Sequence, residues 1–374
     1  MLSPLARVLL VQGIFILAFL YLWLDRSPEK PEKQEDFLSN DRLIGFSARE
    51  GILKEKMLKR FGGNKETEDA VSRALVWLAE QRKDEGIWEF DGSHQNDHIA
   101  ATGMCLLTFL AAGETHLNRK CYSFLVAKGI EFLRSQIKDS GQFGDSGMYS
   151  QAIATMAICE AAGMTDDVDL KKVAKKAIDY IVRAQALNGS WGYTAGCDGD
   201  TSIVGWQIQA LQSGKLAGIG RPDSTLKKAE VFLRSVSDES ESRYYYRGPD
   251  SIQSPTLSAV GLLSRAYLTD SSPKPLLARG VRQLWEENPP TETFWDIYYY
   301  YHATLAFYSQ DGDDWHKNWN PAMRKVLLDK QIAEGEPNDI GSWPKDSGFI
   351  GSSCGKLGTT ALACLTLEVY YRQR

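Results

Sequence analysis

The stretch AIDYIVRAQALNGSW, residues 177–191, is followed by DTSIVGWQIQALQSGKLAG, residues 200–218. The first reads as a helix that ends at Gln185 and turns at Gly189-Ser190-Trp191. The second is apolar nearly all round and rich in Ala, Gly, Ser and Thr, which implies burial on most sides. An amphipathic helix, a glycine-aromatic turn and a buried helix form one unit.

The same unit recurs along the chain. ALVWLAEQ is followed by Gly86-Ile87-Trp88 and HIAATGMCLLTFLAAGE. GIEFLRSQ is followed by Gly141-Gln142-Phe143 and MYSQAIATMAICEAAG. Three later copies are looser. They are AEVFLRS with Tyr244-Tyr245-Tyr246 and SPTLSAVGLLSRAYL; GVRQLWEE with Phe294-Trp295 and DIYYYYHATLAFYSQ; and KVLLDKQ with Gly341-Ser342-Trp343 and GTTALACLTLEVYYR. Taking Trp88, Phe143, Trp191, Tyr245, Trp295 and Trp343 as markers, the separations are 55, 48, 54, 50 and 48 residues. A spacing this regular means one supersecondary unit repeated. In the first helices, Val71, Leu75 and Leu78, and likewise Val126, Ile130 and Leu133, fall on one helical face. Six amphipathic outer helices around six buried inner ones predict a closed double ring. Ser254-Pro255 reads as an N-cap followed by proline at the first helical position. No segment alternates apolar and polar residues long enough to predict a sheet.

Gln185-x-x-x-Gly189-Ser190-Trp191 matches the QW motif of squalene and oxidosqualene cyclases. Looser copies run from Gln81 to Trp88, Gln136 to Phe143 and Gln331 to Trp343. Over residues 67–374 the chain therefore resembles the squalene-cyclase and protein-prenyltransferase superfamily. That resemblance implies an all-α fold, an (α/α)6 toroid of six hairpins with a central cavity.

The resemblance also suggests where chemistry would sit. Cys197-Asp198-Gly199-Asp200-Thr201 lies where squalene–hopene cyclases carry Asp-x-Asp-Asp-Thr, whose middle Asp protonates an alkene. Registered on the threonine, Asp200 matches the last Asp and Gly199 takes the protonating position, so Asp198 and Asp200 are the candidate catalytic pair. The competing reading is that Asp200 or Thr201 caps the following helix. Triterpene cyclases enclose their site between two barrels, and this chain has residues for one ring. Against prenyl transfer, Asp296-Ile297-Tyr298 stands where Asp-x-Cys would bind zinc, and Gly358-Thr359-Thr360 lacks the expected histidine. No metal or other cofactor is expected. His94 and His98 are four apart, but His94 lies in a Gly-Ser loop. Gly351-Ser352-Ser353-Cys354-Gly355 matches G-x-S-x-G without the strand a nucleophile elbow needs. Asp97, His98, Tyr149, Trp206, Trp295, Asp296, Tyr299 and His302 are the candidate lining of the cavity. The Tyr298–Tyr301 belt must turn some rings inward, as a wall for an apolar ligand or a cation, or simply as aromatic packing.

Before the repeats, Val8–Leu24 is a run of seventeen residues whose only polar member is Gln12. It predicts a membrane anchor over residues 1–26, at the short end for a span, with a cleaved signal peptide as the alternative. Arg7 and the N-terminal amine precede it, and the mixed charges of DRSPEKPEKQED follow, which favours an extracytoplasmic body. Residues 27–66 read as a charged linker containing a short amphipathic stretch, Ala48–Phe61. Of 374 residues, 43% are hydrophobic and 24% charged, typical of a globular chain. The net charge of −5 gives no reason to expect nucleic acid as a partner. Six cysteines without a CxxC pair indicate neither zinc nor redox spacing. The expected function is binding of an apolar isoprenoid or lipid, or of a protein partner, without full cyclase activity. The alternative is an enzyme acting on isoprenoids as a cyclase or prenyltransferase.

Overall fold

Side chains that capture free N–H groups set several of the helix starts. Asn64 accepts from Thr67 N–H and Thr67 bonds back in a capping box, opening α2 (Lys65–Glu80). Asp97, Asp200, Ser254 and Asp296 cap α3 (His98–Ala111), α7 (Thr201–Leu216), α9 (Pro255–Tyr267) and α11 (Ile297–Gln310). Ser254 and Pro255 take up the cap and first-turn positions expected of them. The computed structural model describes residues 45–83, 86–220, 222–268 and 274–372. The remaining helices are α1 (Gly51–Phe61), α4 (Ser123–Gln136), α5 (Met148–Thr165), α6 (Val168–Arg183), α8 (Asp223–Ser235) and α10 (Lys274–Glu287). After these come α12 (Asn320–Lys330), α13 (Phe349–Ser353), α14 (Gly355–Leu367) and α15 (Val369–Arg372). Among the described residues no strand forms, only isolated bridges at turns such as Ile137 with Phe143.

The helices form a closed double ring. Inner helices α3, α5, α7, α9, α11 and α14 pack in that order, and α14 returns to α3. Outer helices α2, α4, α6, α8, α10 and α12 lie between successive inner ones, with α2 against α14 across the closure. Inner helices are buried along nearly their whole length, as in α3, where every residue after His98 is buried. The arrangement is that of an α/α toroid.

The repeated turn residues tie neighbouring units together. The Trp191 indole N–H donates to the Ile181 carbonyl, and the Trp88 and Trp343 indoles donate to Leu78 and Leu327 in the same way. The Gln185 amide donates to the carbonyls of Gly189, in its own turn, and Thr225, on the next outer helix. Gln331 does the same to Gly341 and Ala70, which links the last unit to the first. Gly189 has φ +88° and lies so close to the Lys228 carbonyl that a Cβ would overlap it, so only glycine fits. In the second unit the amide of the half-buried Gln136 bonds its neighbour Ser135, and Gln151 of the inner helix bonds Gly141 and Ala177 instead. In the fourth, the marker is Tyr244 rather than Tyr245. Tyr244 is buried and its N–H meets Ser258, as Trp88 N–H meets Thr102.

The compact body begins at Gly45, ahead of the residue 67 boundary expected from sequence. A 3₁₀ turn at Gly45–Arg49, helix α1 and the C-terminal α15 pack on one another at the C-terminal ends of the inner helices. Ala48–Phe61 thus belongs to the body rather than to a linker. The apolar run at 8–24 and the charged segment after it lie outside the described residues. Among those that are described, no helix is long and apolar enough to cross a membrane.

Candidate functional site

The inner-helix starts meet at one end of the ring. Ser150 at the start of α5 donates to Asp97 Oδ2 at the start of α3, 2.5 Å. Thr256 at the start of α9 donates to Asp296, the cap of α11. Tyr149 and Ser202, at the starts of α5 and α7, share a 2.7 Å hydroxyl bond. A pocket of about 60 Å³ opens among these starts. Phe90, Asp97, Met104, Tyr149, Ile153, Trp206 and Tyr298 line it, with Phe349, Ile350 and Cys354 contributed by α13 and the residue after it. Sites that enclose whole ligands run to several hundred Å³, from about 300 upward. This pocket admits one small group.

Aromatic packing fills the space below. Trp206 stacks on Tyr298 and Tyr301, with centroids 6.1 and 5.9 Å away, and meets His302 edge-on at 5.6 Å. His302 is fully buried, and burial lowers its pKa to about 4, so the imidazole is neutral. Its Nδ1 faces the Tyr298 carbonyl and its Nε2 faces the Gln209 amide. Only Nδ1–H fits that carbonyl, which leaves Nε2 to accept from Gln209. Gln209 in turn accepts from the Tyr301 hydroxyl, and Arg372 donates to that hydroxyl. One directed chain of hydrogen bonds therefore runs from the ring's far end, at Arg372, to its centre.

At the far end, Glu160 is held between two guanidiniums, Arg49 at 2.8 Å and Arg372 at 2.9 Å, all nearly unexposed. Burial pushes the Glu160 carboxyl up, but Arg372 and Arg49 outweigh it and hold its pKa below the ordinary value. Glu368 beside them is raised well above its ordinary value by burial. The two chain segments that carry Arg49 and Arg372 stopper this end of the ring.

The residues singled out from sequence separate into groups. Asp97, Tyr149 and Trp206 line the pocket, and His302 lies beneath it. Asp296 caps α11 beside Asp346, whose carboxyl burial raises to about 6. Tyr299 turns outward to the Asn288 carbonyl and the Trp319 ring, and Trp295 donates to the Pro344 carbonyl. Neither lines the pocket. His98 opens α3 without being part of the lining, while His94 is part of it. Among the described residues no cluster of His, Cys, Asp and Glu is arranged to hold a metal ion.

Asp198 is exposed on its loop, while Asp200 is buried and accepts from the N–H groups of Ser202 and Ile203 as a cap. Neither lines the pocket. Between them, a Cβ on Gly199 would overlap the Trp191 carbonyl, so the position matched to a protonating acid cannot carry a side chain. Phe349, Ile350 and Cys354 were not singled out as lining. They belong to a short helix and the residue after it, ahead of α14, where the sequence shows only a glycine-rich stretch. The Cys354 thiol is pushed up to about 12 by burial, which leaves it a poor nucleophile.

No protein-family model matches this chain, and no curated protein sequence matches it. Solved structures do. The GH76A alpha-1,6-mannanase from Salegentibacter sp. HEL1_6 is similar with a TM-score of 0.59 and 9% identity, over 81% of this chain and 98% of that one. Cellobiose 2-epimerase from Spirochaeta thermophila DSM 6192 gives 0.59 and 13%, over 86% and 99%. A variant of the type II terpene cyclase MstE from Scytonema, in complex with geranylgeranyl dihydroxybenzoate, gives 0.56 and 13%, over 86% and 99%. At these identities the likeness is one of fold.

Proposed function

We propose that the chain is a binding toroid of the squalene-cyclase-like kind, which recognises an apolar group of a small molecule or protein partner at its open mouth and does not cyclise isoprenoids. The observation that carries this is the filled interior: Trp206, Tyr298, Tyr301 and His302 occupy the axis and leave about 60 Å³ at the mouth. Gly199, which has no room for a side chain, supports the same reading. Similar folds act on a mannan, a disaccharide or a terpenoid, as their names state, so the fold by itself does not choose among ligands. The apolar run Val8–Leu24 supports a single-pass anchor, with the toroid held on the extracytoplasmic side.

The test is ligand-observed NMR of the full chain with short branched alcohols and with long isoprenols. Saturable binding of the short compounds, abolished in Ile153→Phe, is expected, because Ile153 lines the pocket. Denaturation midpoints of both proteins show that the variant is folded. Conversion of a long isoprenol to a cyclic product, or equal binding by Ile153→Phe, would overturn the proposal.

A further inference from the structure

The wall of the mouth pocket is aromatic. Trp206, Tyr298, Phe349 and Tyr149 follow one another around it, with centroid separations of 6.1, 6.4 and 6.2 Å. No lysine or arginine is among the lining residues; Asp97 is there, with His94. The polar atoms of the wall are largely committed. Asp97 accepts from Ala100 N–H and from the Ser150 hydroxyl. Ser202 donates to Asp200, so the Tyr149 hydroxyl donates to Ser202.

Behind the rings stand carboxylates. Asp97 lines the pocket, Asp91 accepts from Lys356 and Leu357 N–H just past Cys354, Asp346 accepts from Ile297 N–H, and Asp200 and Asp296 cap the helices that carry Trp206 and Tyr298. All five accept backbone N–H bonds at helix starts or turns. A helix start contributes roughly half a positive charge. Several carboxylates set against these fractional charges give the pocket an acidic surround.

An aromatic wall in an acidic surround suits a cation. A primary ammonium must replace three strong bonds to water, and Asp97, already accepting two bonds, is the one carboxylate among the lining residues. A methylated ammonium needs only ring faces. We propose that the mouth pocket binds a quaternary ammonium group, carried by a free compound or by a lipid headgroup. This deepens the binding function proposed above and rests on it.

The experiment is ligand-observed NMR of the full chain with tetramethylammonium, choline, the neutral tert-butyl isostere of choline, ethanolamine and dodecylphosphocholine. Tetramethylammonium and choline should bind about tenfold more tightly than the neutral isostere or ethanolamine. Dodecylphosphocholine binding more tightly than choline assigns the group to a lipid headgroup; weaker or equal binding assigns it to a free compound. Asp97→Asn keeps a capping side chain and removes the charge. It should weaken choline about tenfold more than it weakens the neutral isostere. Phe349→Leu, at a ring that is 49% exposed and tolerant of change, should weaken choline about fivefold. If the neutral isostere binds as tightly as choline, the quaternary ammonium proposal fails while the apolar-binding function stands. If no compound binds, both fail. Choline binding unchanged in both variants would also overturn the proposal.

Discussion

A methyl group on Gly199 would meet the carbonyl oxygen of Trp191, and the Trp191 indole in turn holds the Ile181 carbonyl. Gly199→Ala is therefore expected to lower stability by about 1–3 kcal/mol, read as a shift in the urea midpoint. Trp191→Phe keeps most of the ring but orphans a buried carbonyl, and should cost about 1–3 kcal/mol by the same measurement. A neutral Gly199→Ala would mean that the loop relaxes, reopening that position to a side chain. Trp191 and Gly189 were legible because their spacing repeats. Gln151 was not, because Gln136 occupies the motif position and one sequence does not reveal that its amide bonds the adjacent Ser135 instead of the turn. Tyr244 was confused with its neighbour because three tyrosines stand in a row. Asp97, Tyr149 and Trp206 line the pocket, whereas Tyr299 does not. Tyr299 is one residue, about 100° of helix, from Tyr298, and helical periodicity says that the belt must split without saying which rings turn inward.

Elements explain how the far end of the ring is closed. The Gly45–Arg49 turn and α15 each deliver one arginine to Glu160 of α5. Glu160→Gln leaves two buried guanidiniums facing each other and should cost about 3–5 kcal/mol in chemical denaturation. A loss below about 1 kcal/mol would show that water reaches this end and screens the charges. Glu368 behaves in the opposite sense. Burial raises its folded pKa, so between the ordinary carboxyl range and the raised value the folded chain keeps a proton that the unfolded chain has released. Its effect is a stability that declines as pH rises through that window. Glu368→Gln should flatten the decline above the ordinary carboxyl range, compared by urea midpoints. Parallel curves for the two proteins would place the slope on other groups. None of this closure was legible from sequence. Arg49 lies in a stretch that reads as linker, and pairing with Glu160 across more than a hundred residues leaves no local pattern.

At the scale of the whole molecule, the ring was legible because a unit of about fifty residues repeats, and each copy has one amphipathic and one apolar helix. How much of the ring is hollow was not. That depends on which rings of Trp206, Tyr298 and Tyr301 point to the axis and how they stack, a matter of side-chain geometry rather than composition. The most direct measurement is native mass spectrometry of the full chain, followed by organic extraction and analysis of what co-purifies. A filled axis with a small mouth pocket leads us to expect no long-chain isoprenoid in stoichiometric amount. One such molecule held per chain would show an open interior and contradict the binding-toroid account.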